Sequence, residues 1–144
     1  MTITADWQAE LGGVTLGAGT DYEFSSGIEG LGVPRPRTYD TPRGSSPGDA
    51  AAVDIPGRRV IVMAVTVLGD SAADCWDLVE TLRAAWEPQP SDIALDIRLP
   101  GGTVVRYMGR PRFVDLNLDS LREGVAAARL TFEALDPTGE VLGS

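Results

Sequence analysis

The sequence contains no histidine and no lysine, and its single cysteine is Cys75. Without histidine the chain lacks the usual general base at neutral pH, the usual partner of a serine or cysteine nucleophile, and the commonest zinc ligand. A single cysteine excludes a disulfide within the chain. These absences remove the most common hydrolase and zinc-site chemistries from consideration.

Motifs that bind nucleotides or metals are missing as well. No Gly-x-Gly-x-x-Gly segment opens a helix after a strand, and the sequence contains no Walker motif. Asp115 and Asp119 are close in sequence, but the residues around them alternate in polarity, which is typical of a strand with one solvated face. The sequence therefore predicts no catalytic, cofactor-binding or metal-binding residues, and no enzymatic activity.

Long apolar runs are also missing. No segment approaches the roughly 18 residues that a membrane helix needs, and residues 1–6 lack the basic and apolar regions of a signal peptide. We therefore expect neither membrane insertion nor export by the general secretory route. The chain has three residues each of Trp, Tyr and Phe. Trp7, Trp86 and Phe132 are expected to be buried, which argues against an exposed aromatic binding cluster.

Charge is distributed unevenly along the chain. Twelve basic residues, all of them arginine, face 21 acidic residues, and the net charge is −9. Residues 1–32 carry five acids and no arginine, whereas residues 33–59 carry five arginines and three acids. The overall acidity argues against nucleic-acid binding, because neutralising phosphates requires clustered cations.

The first 57 residues predict short strands followed by a long loop. Residues 3–7, Val14–Leu16 and Tyr22–Phe24 read as strands. Residues 33–57 contain five prolines among Gly, Ser and Arg, a composition that predicts a long loop. Loops of this length are usually functional or mobile. Two interpretations stay open, a surface excursion and a loop that orders against a neighbouring subunit.

Arg58–Leu68 is the clearest strand in the sequence. Ile61, Met63, Val65 and Val67 alternate with Val60, Val62 and Ala64, so both faces are apolar. Apolar residues on both faces indicate a strand that is covered on both sides. We expect the domain core on one side and a helix or a partner on the other.

A single amphipathic helix follows this strand. Ser71 and Asp74 fit a capping box at its start, and Pro88 ends it near Glu87. Cys75 lies on the apolar stripe and is expected to be a small buried hydrophobe. The stripe recurs at three- and four-residue steps and comprises Cys75, Leu78, Val79, Leu82, Ala85 and Trp86.

Strands dominate the rest of the chain. Pro111 predicts a break, the glycines after Pro100 predict a hairpin turn, and residues 138–144 are expected to form a short tail. The whole sequence therefore predicts a single mainly β (α+β) domain over residues 1–144, without internal repeats. The predicted strands are residues 93–99, 103–108, 113–118 and 125–135.

Four sequence segments occur in an order that resembles a known family. They are Gly30–Gly32 followed by proline and arginine, Leu82–Trp86, Ile97–Gly102, and Leu130–Pro137. In this order they resemble the N-terminal domain of the distal tail proteins, also called minor tail proteins, of long-tailed non-contractile bacteriophages. The resemblance covers nearly the whole chain.

The resemblance implies a β-sandwich or split barrel with one packed helix, related to tail-tube subunits. It implies a structural virion protein, made in the host cytoplasm, that forms a homo-oligomeric ring of six subunits at the tail tip. Its partners would be the tail tube protein and the tail tip or baseplate hub proteins of the host-recognition apparatus. DNA would pass through the ring as cargo, and an acidic channel wall would repel its phosphates. Larger family members append a C-terminal carbohydrate- or receptor-binding domain.

Arg35, Arg37 and Arg43 are the only cations in the first 57 residues. Their forked donors suit carboxylates on an acidic neighbouring subunit. The proline-rich backbone around them loses less entropy on docking, because the unbound chain is already restricted. We therefore predict that these three arginines make an inter-subunit contact.

Two alternatives stay open at this point. A tail-tube or tube-terminator subunit would share the fold but stack in many copies, so that the purified protein would polymerise. A monomeric β-rich binding module would need an exposed aromatic cluster.

Overall fold

The computed structural model describes residues 3–32, 36–37, 41–42, 49–50 and 55–143. One α-helix, α1, spans Ala72–Ala85 in this part of the chain, and a short 3₁₀ helix spans Leu121–Glu123. The strands are β1 (Ala9–Leu11), β2 (Val14–Leu16), β3 (Tyr22–Phe24), β4 (Pro36–Arg37), β5 (Thr41–Pro42), β6 (Asp49–Ala50), β7 (Ile55–Pro56), β8 (Arg59–Leu68), β9 (Ile93–Arg98), β10 (Val104–Asn117), β11 (Val125–Ala134) and β12 (Glu140–Gly143).

Eight strands form one antiparallel sheet. Its order is β2-β1-β9-β10-β11-β8-β3, and β12 pairs with β10. The two ends of the sheet approach each other, since the backbone N–H of Gly17 after β2 donates to the carbonyl of Tyr22 in β3 at 2.7 Å. The sheet is thus a nearly closed barrel, and the mainly β fold with one packed helix is confirmed.

Strand β10 joins the two halves of the sheet. Its first part, Val104–Gly109, pairs with β9, and Arg110–Asn117 pairs with β11. Gly109 lies at the changeover, where a Cβ would clash with the carbonyl oxygen of Glu133 and lie 2.6 Å from the Cα of Ala134. Only glycine therefore permits this close approach of β10 to the end of β11.

The predicted break at Pro111 is wrong. The strand β10 continues for 14 residues, and the proline coincides with a shift of register between Pro111 and Phe113. A bulge accommodates proline because the regular ladder of hydrogen bonds is interrupted there in any case. Strand β10 has already changed its partner at Gly109, and it continues along β11 through Pro111 instead of ending.

The core lies between the inner faces of the sheet and α1. Alternating residues of β8 and β11 are buried, as the period of two predicted. On the helix, the predicted stripe is confirmed, with Leu78 and Ala85 half-buried at its margin. The completely buried side chains of β8, β11 and α1 are Ile61, Met63, Val65, Val67, Leu130, Phe132, Ala134, Cys75, Val79 and Leu82.

Three polar contacts hold α1 in place. The backbone N–H of Asp74 donates to Ser71 Oγ at 3.1 Å, which confirms the predicted N-terminal cap. Trp86 Nε1 donates to the carbonyl of Thr131 on β11 at 3.0 Å. The Tyr22 hydroxyl donates to the carbonyl of Leu78 at 2.7 Å, and burial, followed by the charge of Asp21, raises the pKa of Tyr22 to about 12. Tyr22 therefore stays a hydrogen-bond donor at neutral pH.

Residues 3–7 do not form the predicted strand. Gln8 is buried, and its side-chain oxygen accepts hydrogen bonds from the backbone N–H groups of Thr4 at 2.8 Å and Ala5 at 3.1 Å. These bonds curl the segment into a turn in which Trp7 has a left-handed backbone with φ 60°. Trp7 is 45% exposed, so the prediction that it is buried is also wrong.

The two faces of β8 differ more than the sequence predicted. Ile61 to Val67 fill the core on one face, whereas Val60 is 45% exposed and Val62 and Ala64 are half-buried on the other. The part of the chain that the structure describes therefore leaves this second face partly open.

Most of the predicted loop at 33–57 lies outside the described residues. Those that are described pair as two short antiparallel ladders, β4 with β7 and β5 with β6. The segment predicted as a tail contains β12, which pairs with the first part of β10. Its pairing was missed because an alternation over four residues is too short to indicate a strand.

We predict that Gly109→Ala destabilises the fold by about 1–3 kcal/mol, because the added methyl group clashes with the backbone of β11. The measurement is urea unfolding followed by tryptophan fluorescence. Gly27→Ala is the matched control, since nothing lies within 4 Å of the Cβ it would add. Equal stability of the two variants would contradict the close approach.

Candidate assembly surfaces

Arg59, the first residue of β8, contacts two other segments of the chain through its guanidinium group. It is only 9% exposed, and its guanidinium donates to the carbonyl oxygens of Pro137 at 3.0 Å, Gly30 at 2.7 Å, and Gly32. It also lies 5.4 Å from the centroid of the Tyr107 ring, which is a cation–π distance. Gly30 and Gly32, which precede segment 33–57, are therefore held beside the start of β8, which follows that segment.

The strand register shows which residues share each end of the sheet formed by β8, β11 and β10. Strand β8 has ten residues, which separates its termini by about 30 Å. Its first residue, Arg59, pairs with Ala134, and its last, Leu68, pairs with Val125. On β10, Arg110 pairs with Glu133 and Asn117 with Ala127. Arg59 and Arg110 therefore share one end of the sheet, and Leu68 and Asn117 share the other.

The first of these, which we call the basic end, comprises Arg58, Val60, Arg112, Glu133 and Leu135. Glu133 accepts hydrogen bonds from Arg58 and from Arg112 Nε, the latter at 3.1 Å. The exposed Asp136 follows Leu135 directly, so two arginines and two carboxylates share this end. Val60 and Leu135 are each 45% exposed, so exposed apolar surface lies beside the positive charge.

The pKa of Glu133 is lowered by this arrangement. Its largest cause is the hydrogen bond from Arg58, and the charges of Arg58 and Arg112 act in the same direction. The carboxylate is largely shielded, with 15% of its side chain exposed. Glu133 therefore remains ionised and holds the two guanidinium groups at the surface.

The other end, which we call the acidic end, comprises Leu68, Asp70, Trp76, Asp119, Arg122 and Glu123. The backbone N–H of Gly69 donates to the carbonyl of Gly124 at 2.8 Å, which brings the start of α1 beside the 3₁₀ helix. Leu68 and Trp76 are each 41% exposed. Within the described residues, the three carboxylates of this end form no ion pair.

Asp96 and Arg106 form a different kind of charged contact. They lie directly opposite each other on β9 and β10, and Arg106 donates through Nε at 2.7 Å and Nη2 at 3.0 Å. The hydrogen bond to Asp96 is the main cause that raises the pKa of Arg106. Because Asp96 is 7% exposed, this two-point pair fixes the register of the strands and is not available to a partner.

The Trp7 ring forms a second exposed apolar surface. It borders a groove of about 260 Å³ with Phe24 and Ile28, and a groove of about 350 Å³ with Phe24 and Glu23. Among the aromatic side chains that the structure describes, Trp7 and Trp76 are exposed ones that the sequence patterns failed to identify. The only signal for Trp76 was its position off the helical stripe.

The predicted contact residues are only partly described by the structure. Arg35 and Arg43 lie outside the described residues. The backbone of Arg37 belongs to β4 and pairs with Ile55. Their role in an inter-subunit contact therefore stays a prediction. Among the described residues, no group of three or more acidic or cysteine side chains could hold a metal ion, and no helix is long and apolar enough to cross a membrane.

The nearly closed, antiparallel sheet with a single packed helix matches the fold of a solved structure. A structure with this fold is the crystal structure of SPP1 Dit (gp 19.1), a paradigm of the hub adsorption apparatus in phages that infect Gram-positive bacteria. The match has a TM-score of 0.71 and 16% sequence identity, and it covers 94% of this chain. The expected resemblance to distal tail proteins is thus confirmed in the fold.

The chain spans about half of the length of Dit, since the match covers 52% of that protein. No protein-family model and no curated protein sequence matches the chain.

The carboxylate of Glu133 predicts a pH-dependent stability. Because the fold lowers its pKa below the ordinary value of 4.5, its stabilising effect is complete above about pH 4.5 and is lost as the pH falls through the lower folded-state pKa. We expect Glu133→Gln to be less stable than wild type at neutral pH, with a difference that shrinks in acid. Urea unfolding at a series of pH values measures this.

Glu23→Gln is the control for this experiment, because Glu23 is exposed and has no ion pair in the described part of the chain. Its difference from wild type should be small at every pH. A Glu133→Gln difference that stays constant down to low pH would contradict the role of the carboxylate.

Proposed function

We propose that this chain is a structural, non-enzymatic subunit of a bacteriophage tail tip. The observation that carries the proposal is the match of its fold to the hub protein SPP1 Dit over 94% of the chain. In this role the protein acts through the surfaces that it presents to its neighbours. Its location would be the virion, at the tip of the tail.

The finer proposal is a closed homo-oligomeric ring of six subunits that joins the tail tube to the tip or baseplate hub proteins. The partly open face of β8 and the two charged ends of the sheet supply surfaces for such contacts. Two different patches on one chain favour head-to-tail association, which closes into a ring when the rotation between copies allows it. DNA would pass through the ring, and the net charge of −9 would keep phosphates from adhering to its wall.

The arginines of segment 33–57 fit this proposal. Arg59 anchors Gly30 and Gly32 beside the start of β8, so the described residues that flank the segment lie at the basic end. In this proposal Arg35, Arg37 and Arg43 pair with carboxylates of a neighbouring copy. Multiple arginines are required, because a single exposed ion pair contributes only about 0–1 kcal/mol.

We predict that the purified chain forms closed rings. Native mass spectrometry gives the copy number, and negative-stain electron microscopy distinguishes a ring from a stack. Six-fold rings support the proposal, whereas long stacked tubes favour a tail-tube or tube-terminator subunit. A protein that stays monomeric at high micromolar concentration would contradict autonomous ring formation and favour a monomeric binding module.

Replacing Arg35, Arg37 and Arg43 together by Ser is expected to weaken ring formation and leave thermal unfolding of the monomer nearly unchanged. The effect should be largest at low ionic strength, because salt screens exposed charges. Sedimentation velocity at several salt concentrations measures the association. A matched control loses two exposed arginines elsewhere, namely Arg83 and Arg129. Association of the triple variant equal to that of this control at low salt would refute a specific role for the segment.

A further inference from the structure

We propose that the groove between Trp7 and Glu23 receives an arginine from segment 33–57 of a neighbouring copy. The groove has a volume of about 350 Å³ and is lined by Trp7, Ala18, Gly19, Glu23 and Phe24. The inference rests on the proposed assembly of copies, and it adds the surface on which the arginines of the segment bind.

The backbone around Trp7 holds this side chain at the surface. Its φ of 60° is rare for a bulky residue, and its N–H donates to the carbonyl of Arg98 at 2.6 Å. The side chain of the buried Gln8 donates to the carbonyl of Ala18 at 2.5 Å. A Cβ on Gly17 would lie 2.5 Å from the carbonyl oxygen of Trp7, so glycine permits this packing. A large exposed side chain fixed in a strained backbone conformation favours a function at the surface.

The groove combines two groups that bind a guanidinium. An indole is the aromatic ring that attracts a cation most strongly, and a guanidinium stacks on it. The carboxylate of Glu23 is exposed and forms no ion pair among the described residues. The half-buried Phe24 adds a second aromatic side chain to the lining. An arginine can therefore stack in the groove and pair with the carboxylate at the same time.

The charge around the groove is negative. Two flanking carboxylates are already paired, Asp6 with Arg98 at 3.2 Å and Glu29 with Arg129 at 3.7 Å. Asp21 and Glu23 are exposed and have no ion pair in the part of the chain that the structure describes. Two uncompensated carboxylates favour a cationic occupant.

Segment 33–57 supplies such a cation. The chain contains no lysine, so every side-chain cation that a second copy offers is a guanidinium. The segment carries Arg35, Arg37 and Arg43 within nine residues. Arg122 is an exposed competitor without an ion pair among the described residues, but Glu123 follows it directly. The segment therefore complements the negative groove better.

The segment is also long enough to reach a neighbour. Arg59 holds Gly30 and Gly32 beside the start of β8, so both ends of the segment begin at one place on the domain. Half of the segment in extended form spans about 40 Å. A domain of 144 residues has a radius of gyration of only about 15 Å. An arginine of the segment can therefore extend past its own domain to an adjacent copy.

An exchange of charge between the two surfaces tests the contact. Glu23→Arg makes the groove basic, and the combined variant Arg35→Glu, Arg37→Glu and Arg43→Glu makes the segment acidic. Each variant alone opposes like charges and should associate at least about 10-fold more weakly than wild type in sedimentation velocity at low ionic strength. A 1:1 mixture should restore association, because each groove then meets a segment of opposite charge. A contact within one copy cannot be restored by mixing.

Trp7→Ala tests the aromatic part of the groove and should weaken association at least about threefold. Trp76→Ala is the matched control, because Trp76 is a second exposed tryptophan, 41% exposed on α1. Asp77→Arg is the control for Glu23→Arg, since Asp77 is also exposed and has no ion pair among the described residues. Circular dichroism and thermal unfolding check that each variant folds.

The possible results separate the contact from the proposed function. Wild-type rings together with undiminished association of Glu23→Arg overturn the contact and leave the function standing. Equal weakening in the controls, or a mixture that associates no better than its components, also overturns it. Restoration of Glu23→Arg by an Arg122→Glu copy assigns the groove to Arg122 instead of the segment. A wild-type chain that remains monomeric at high micromolar concentration overturns both the ring and the contact.

Discussion

The close approach of β10 to β11 at Gly109 is the constraint on which the rest of the structure depends. Strand β10 belongs to both halves of the sheet, and it changes partner where the backbone of Glu133 and Ala134 leaves no room for a Cβ. The ladder with β11 continues through β8 to β3, and the ladder with β9 continues to β1 and β2. Closing these two halves toward each other creates the interior that α1 and its apolar stripe complete.

The polar groups inside this fold are satisfied by geometry that only the closed sheet provides. Trp86 and Tyr22 each donate to a backbone carbonyl on another element, so the helix is fixed in orientation as well as in depth. Cys75 contributes to the same packing, and burial raises the pKa of its thiol. It therefore behaves as a small apolar side chain and not as a nucleophile.

The same sheet brings charged residues together that are distant in the sequence. Because β8, β10 and β11 are antiparallel and share their termini, residues far apart in sequence gather at common ends: Arg58 with Arg112, and Asp70 with Asp119. The fold itself is shared with a solved phage hub protein.

Periodicity in the sequence was sufficient to predict the strands and the helix whose buried residues recur at a regular spacing. The period of two in β8 and β11 and the three- and four-residue steps of α1 identified the core, because burial selects apolar residues at those spacings. The absence of histidine and the single cysteine, Cys75, were likewise evident from the sequence. The order of segments indicated the family resemblance over the length of the chain.

Other features depend on tertiary contacts and could not be predicted from local sequence patterns. The apolar alternation at residues 3–7 suggested a strand, but hydrogen bonds to Gln8 curl the segment and expose Trp7. Pro111 suggested the end of a strand, but a β-bulge accommodates the proline and β10 continues. The sequence by itself determined which residues could form a core. The tertiary structure alone decided which charges share a surface, because strand pairing joins residues that are distant in the chain.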